Sequence, residues 1–168
     1  MLKDCIDDLK LALDSLDPAD ADLLALLAAV RFRLTPRLTA AGITLTWSVQ
    51  DVPALPWLDA QNALHVLRIV QEVLTNILKH SHATEIDLAT SLEGDEVLVR
   101  LRDNGAAFTP FTPGAALSPS QAGKGLANVR NRAQALGARC EWATWEGGGG
   151  FCLWLPLQRS QAASEPIT

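Results

Sequence analysis

"QEVLTNILKHSHAT", residues 71–84, places polar side chains where a buried helix should have none. Val70, Val73, Leu74, Ile77 and Leu78 recur at helical spacing and cover most of the circumference. The four-residue step from Glu72 to Asn76 stacks a carboxylate and a carboxamide on one face, and Lys79 and His80 extend that row by a turn. Burying such groups without partners costs roughly 2 kcal/mol or more each. The space above Glu72 and Asn76 is therefore expected to hold either a ligand or a neighbouring loop that the pair caps.

This helix is predicted to begin near Asp59, an N-cap, after a loop with two prolines, "QDVPALPW" (50–57). Before it, "ITLTWSV" (43–49) alternates as a strand. A further helix is predicted over 20–41, stopped by Gly42 and kinked or broken near Thr35 by Pro36. Residues 2–16 place Leu2, Ile6, Leu9, Leu13 and Leu16 on one stripe, an amphipathic helix ended by Asp17-Pro18. After the opening stretch, "EIDLATSL" (85–92) and "EVLVRLR" (96–102) alternate about a short turn and predict a hairpin. Residues 109–124 hold three prolines and two glycines without periodicity, as expected of a functional or disordered loop. "GLANVRNRAQALG" (125–137) reads as a helix, and "ARCEWATW" (138–145) with "FCLWLPL" (151–157) as a second hairpin across glycines. On that last strand Leu153 and Leu155 point inward and Trp154 outward, which suits either a partner surface or a cross-strand pair with Trp142. Two hairpins, a lone strand and three internal helices predict an α/β two-layer sandwich: a mixed, largely antiparallel sheet with helices on one face.

The 168 residues are 48% hydrophobic and 20% charged, an ordinary globular composition. A net charge of -5 disfavours a nucleic-acid partner. The longest apolar run, residues 23–30, is too short to span a bilayer, and the opening residues show no signal-peptide pattern. Cys5, Cys140 and Cys152 lack metal-binding spacing and read as reduced thiols of a cytoplasmic protein.

Three places carry potential chemistry. Glu72 and Asn76 offer hard oxygens of the kind that magnesium takes alongside water and substrate phosphates. Asp103-Asn104-Gly105 ends a strand whose Val97, Val99 and Leu101 point into a core. A carboxylate at that depth accepts from an exocyclic amine, with Gly105 admitting a flat ligand; a plain Asn-Gly turn is the other reading. Gly123-Lys124-Gly125 leads into a helix, where free amides make an anion site, or where the glycines act as a hinge. In that order, the three describe a nucleotide pocket closed by a lid.

The stretch from Ala63 to Leu157 resembles the ATP-binding catalytic domain of bacterial sensor histidine kinases, in the gyrase, chaperone, kinase and mismatch-repair ATPase superfamily. "RIVQEVLTNILKHSHAT" (68–84) is similar to the N-box of its nitrate-sensor-like subfamily, "RDNGAAF" (102–108) to the first glycine box, and "GKGLANVRNRAQALGA" (123–138) to the second. The resemblance implies ATP and Mg2+ as cofactors. Asn76 would be the magnesium ligand, and Glu72 would orient metal-bound water or polarise the reacting centre. Lys79 and His80 would lie towards the phosphates. Asp103 would take the adenine amino group with Gly105 beneath the ring, and Gly123, Lys124, Gly125 and Leu126 would meet the nucleotide. Two positions depart from the family: Ala107 replaces a glycine, and "EGGGGFCLWLP" (146–156) lacks the threonine usual after its glycines.

The resemblance also implies a protein-histidine kinase, homodimeric in full length and either membrane-attached or free, that phosphorylates a histidine of an upstream dimerisation domain and passes the group to a response regulator. His65, His80 and His82 all lie in or just after the N-box and lack an acidic neighbour in the phosphoacceptor pattern. The expected organisation is thus residues 1–18 as the end of the phosphoacceptor region, 19–157 as the catalytic domain and 158–168 as a tail. An anti-sigma-factor-type serine kinase and a non-catalytic nucleotide-binding module are the alternatives.

Overall fold

A computed structural model describes residues 22–105 and 123–158. The helix expected over 2–16, residues 109–122 of the proline-rich segment, Ala107 and the tail from 159 lie outside the described residues.

Asp22 starts the first helix, α1 (Leu23–Ala40), by accepting from the Leu24 amide at 3.2 Å. The expected break at Pro36 does not occur: α1 runs through it. Proline removes the bond that would reach the Phe32 carbonyl, and the six buried apolar residues of α1 on either side of it hold the helix in place. Strand β1 (Thr44–Ser48) follows, then α2 (Ala60–His80), capped by Asp59 accepting from the Asn62 amide at 2.8 Å. β2 (Glu85–Glu93) and β3 (Glu96–Asp103) form the expected hairpin, with Gly94 at φ 59° in its two-residue turn. Then come α3 (Gly123–Ala135), ended at Gly137 with φ 67°, and the hairpin β4 (Arg139–Trp145) and β5 (Gly148–Pro156).

The sheet order is β1-β2-β3-β5-β4, with β1 parallel to β2 and every other pair antiparallel. Val97, Val99 and Leu101 of β3, with Phe151, Leu153 and Leu155 of β5, face the helices and are all buried. Val66, Val70, Val73, Leu74 and Ile77 of α2 pack into the same core. Trp57 pins the loop before α2, its Nε1–H donating to the Pro156 carbonyl at 2.7 Å.

The opposite sheet face is not bare. Arg102 stacks on Trp145 at 4.4 Å and Arg139 on Trp154 at 4.0 Å, and Trp154 Nε1–H donates to Glu93 Oε2 at 3.0 Å. Trp154 does point outward, but its ring is taken by its own chain. Trp142 faces the other way, opposite Phe151 in register, so the two indoles do not pair.

Candidate functional site

The end of α2 and the end of β3 are joined by a dense set of polar contacts. Ser81, buried at the helix C-cap, donates to the Ile77 carbonyl at 2.7 Å and accepts from the Ala83 amide at 3.2 Å. His82, at φ 52°, then turns the chain into β2. Asn104 fastens this corner: its Oδ1 accepts from the Thr84 and Glu85 amides, both at 2.9 Å, and its Nδ2 donates to Thr84 Oγ1 at 2.9 Å. In "DNG", then, Asn104 is spent on the fold while Asp103 is turned towards the space beside α2.

Asp103 is buried, and its Oδ1 accepts from the Gly105 amide at 2.9 Å. Burial pushes its carboxyl above the usual carboxylate range, and the Gly105 bond pulls it partly back. A Cβ on Gly105 would sit 2.2 Å from the Ser81 carbonyl oxygen. The glycine is thus required by the close approach of its own backbone to the end of α2.

Asn76 and Asp103 open on one pocket that Ser81 also lines, with Val73, Ile77, Trp142 and Phe151 as apolar walls. That mixture of apolar walls and a few polar groups is the lining a small organic ligand takes. Asn76 is half-buried, and its carboxamide makes no hydrogen bond to any described residue.

Glu72 lies one turn earlier on α2 but does not line this pocket. Its charge acts instead on Arg132 of α3. Burial and the neighbouring Arg68 lower the Arg132 pKa, and Glu72 raises it. Arg132 Nη1 also lies 3.4 Å from His65 Nδ1. Lys79 and His80 are exposed in the last turn of α2, a position that also favours cations through the helix dipole. Gly123, Lys124, Gly125 and Leu126 form the first turn of α3, one residue pair earlier than "GLANV" suggested.

The glycine run explains itself by contact. A Cβ on Gly148 would meet the Asp103 carbonyl oxygen at 1.9 Å, and one on Gly150 would meet the Trp145 ring at 2.2 Å and the Leu101 carbonyl oxygen at 2.5 Å. There is no room for a threonine at either position. Sequence reasoning missed Ser81 and Trp142 as pocket residues. Only the alternation of β4 against a known register would have turned Trp142 inward.

The sequence profile of the histidine kinase-, DNA gyrase B- and HSP90-like ATPases matches residues 61–159, more than half of the chain. The chain belongs to that family. All three motif stretches fall inside the match, so this is an ATP-binding domain. The nitrate/nitrite sensor NarX of Escherichia coli K12 is 30% identical over 149 residues, covering 81% of this chain and 24% of NarX. The nitrate/nitrite sensor NarQ of the same organism is 35% identical over 114 residues, 66% of this chain and 18% of NarQ. The chain thus spans a quarter or less of these relatives. In fold it is similar to the histidine kinase AdeS of Acinetobacter baumannii, with a TM-score of 0.67 at 17% identity over 82% of this chain and 66% of that one. No helix among the described residues is long and apolar enough to cross a membrane.

Proposed function

We propose that the chain is the catalytic domain of a sensor histidine kinase: it binds Mg-ATP and transfers the γ-phosphoryl group to a histidine on a helical dimerisation domain, for relay to a response regulator. The observation that carries this reading is the convergence of Asn76 and Asp103 on one pocket in a domain of this ATPase family. The free oxygen of Asp103 accepts the adenine amino group, while the Gly105 amide holds the other oxygen. The first turn of α3 offers its amides to the phosphates.

The residues present fit a magnesium ion. Asn76 has an uncommitted carboxamide at the pocket, and among the described residues no group of three or more His, Cys, Asp or Glu could bind a metal by itself. A site with one protein oxygen suits an ion that takes its other ligands from phosphates and water. Asn76 would hold it, and bound there it would neutralise charge on the phosphates. Glu72 acts from the edge of this site by orienting water or polarising the reacting centre. Lys79 and His80 reach the phosphates from the end of α2. In this reading residues 1–18 belong to the phosphoacceptor region, 19–157 to the catalytic domain and 158–168 to a tail, and the working kinase is a cytoplasmic homodimer, membrane-attached or free.

The test is titration with ATP with and without magnesium, then incubation with γ-labelled ATP. The chain alone should bind Mg-ATP yet remain unlabelled. Adding a dimerisation domain that carries the acceptor histidine should give acid-labile, base-stable phosphate. Acid-labile label on the chain alone would refute the division of labour, and acid-stable label on serine of an added partner would favour the anti-sigma type. Absence of nucleotide binding would leave an interaction module.

A further inference from the structure

Trp142 stands out among the pocket walls. It projects from β4 on the helix-facing side of the sheet, half-buried, with its ring centroid 5.1 Å from that of Phe151 at an interplanar angle of 58°. Arg130 of α3 lies 6.0 Å over the ring. The Nε1–H of Trp57 and of Trp154 each donates within the protein, at 2.7 and 3.0 Å. That of Trp142 donates to no described residue. The indole thus packs against Phe151 and Arg130 while also lining the pocket.

Accepting the nucleotide reading of this pocket, we infer that Trp142 is a specificity-determining residue: its indole forms the aromatic wall against which the purine base lies. Three features support this. Trp142 lines the same pocket as Asp103, the only carboxylate among the described residues that line it. The other large walls are aliphatic or, like Phe151, only 1% exposed and committed to the core. A flat π-system is held best by another, and base–aromatic stacking contributes on the scale of a tenfold or greater change in affinity. Stacking also grows with the size of the base, so this wall favours purines over pyrimidines irrespective of the hydrogen bond to Asp103.

Arg130 extends the inference to α3. Its guanidinium shares the Trp142 ring, so a base arriving at the indole and the second turn of α3 contact the same side chain.

The experiment uses the whole chain and the variants Trp142→Leu and Trp142→Phe. ATP, CTP and inorganic triphosphate are titrated by calorimetry, with tryptophan fluorescence recorded in parallel. The expected result is that Trp142→Leu weakens ATP about tenfold, narrows the ATP-over-CTP preference and leaves triphosphate unchanged. Trp142→Phe should recover most of the ATP affinity while losing the fluorescence response to ATP that wild type shows. If wild type binds no ATP, both the nucleotide reading and this inference fall. If wild type binds ATP but Trp142→Leu retains its affinity and base preference, this inference alone falls. It falls equally if the leucine variant loses ATP and triphosphate alike, which would make Trp142 a packing residue.

Discussion

In Asp103→Asn a carboxylate oxygen becomes an amino group on a side chain that is only 8% exposed. The Oδ1 bond to the Gly105 amide survives, since asparagine keeps one oxygen. What changes is the other atom, which goes from acceptor to donor and then faces the donor of the adenine amine. A hydrogen bond to a charged group contributes roughly 1.5–3 kcal/mol, and an unsatisfied buried donor costs roughly 1–3. Taking a combined loss of about 3 kcal/mol, ATP affinity should fall roughly a hundredfold. Inorganic triphosphate, which lacks the amine, should bind the variant as it binds wild type. Stability should move the other way. The folded-state pKa of Asp103 is raised above 3.8, so the native state holds this proton more tightly than the unfolded state does. Its contribution is fully present below the ordinary value and is lost as pH rises through the raised one, leaving a desolvated charge that opposes folding at neutral pH. The apo variant should therefore melt at or above wild type at pH 7, and its advantage should shrink as pH falls towards the ordinary carboxylate range. Calorimetric titration with both ligands and melts across that pH range supply the readouts. Equal losses for ATP and triphosphate, or a variant that melts lower at every pH, would refute the assignment of Asp103 to the base.

Asn76→Ala should abolish magnesium-dependent ATP binding while raising Tm slightly, by no more than about 2 °C, because alanine is the better helix former and no described partner is lost. A collapsed apo melt would show Asn76 to be structural. Gly105→Ala should destabilise by about 2 kcal/mol or more, since its methyl lands on the Ser81 carbonyl; a melt within 1 °C of wild type would contradict the close approach. His82→Gly should stabilise by about 0.5 kcal/mol, the left-handed strain at φ 52° outweighing the entropy of glycine, with ATP affinity unchanged. A lower melting temperature would mean that the imidazole contributes more than its backbone costs.

Much of this was legible in residues 59–105, where signals are local. The Asp59 cap, the apolar stripe of α2, the β2–β3 hairpin and the depth of Asp103 follow from spacing alone. Three things were not legible, each for its own reason. That α1 runs through Pro36 depends on the burial of its apolar residues on both sides of the proline, which is a tertiary matter. That Glu72 lies off the pocket and within electrostatic reach of Arg132 depends on how α3 packs, and residues 60 positions apart carry no mutual pattern. The insertion of β5 between β3 and β4 decides that Trp142 looks into the pocket, and hairpin signals do not state which strand of the pair lies inside.

The parallel pairing of β1 has a kinetic and mechanical meaning. The β2–β3 and β4–β5 hairpins close over a few residues, whereas β1 can dock on β2 only after the chain has passed through all of α2. It is also an edge strand, backed by α1 and held from one side. Such a layer is the natural first unit to open in partial unfolding and the last to form. Among the described residues none that lines the pocket comes from α1 or β1; they belong to α2 with its cap, β3, β4 and β5. The N-terminal layer should therefore exchange its amide protons before the residues that line the pocket do.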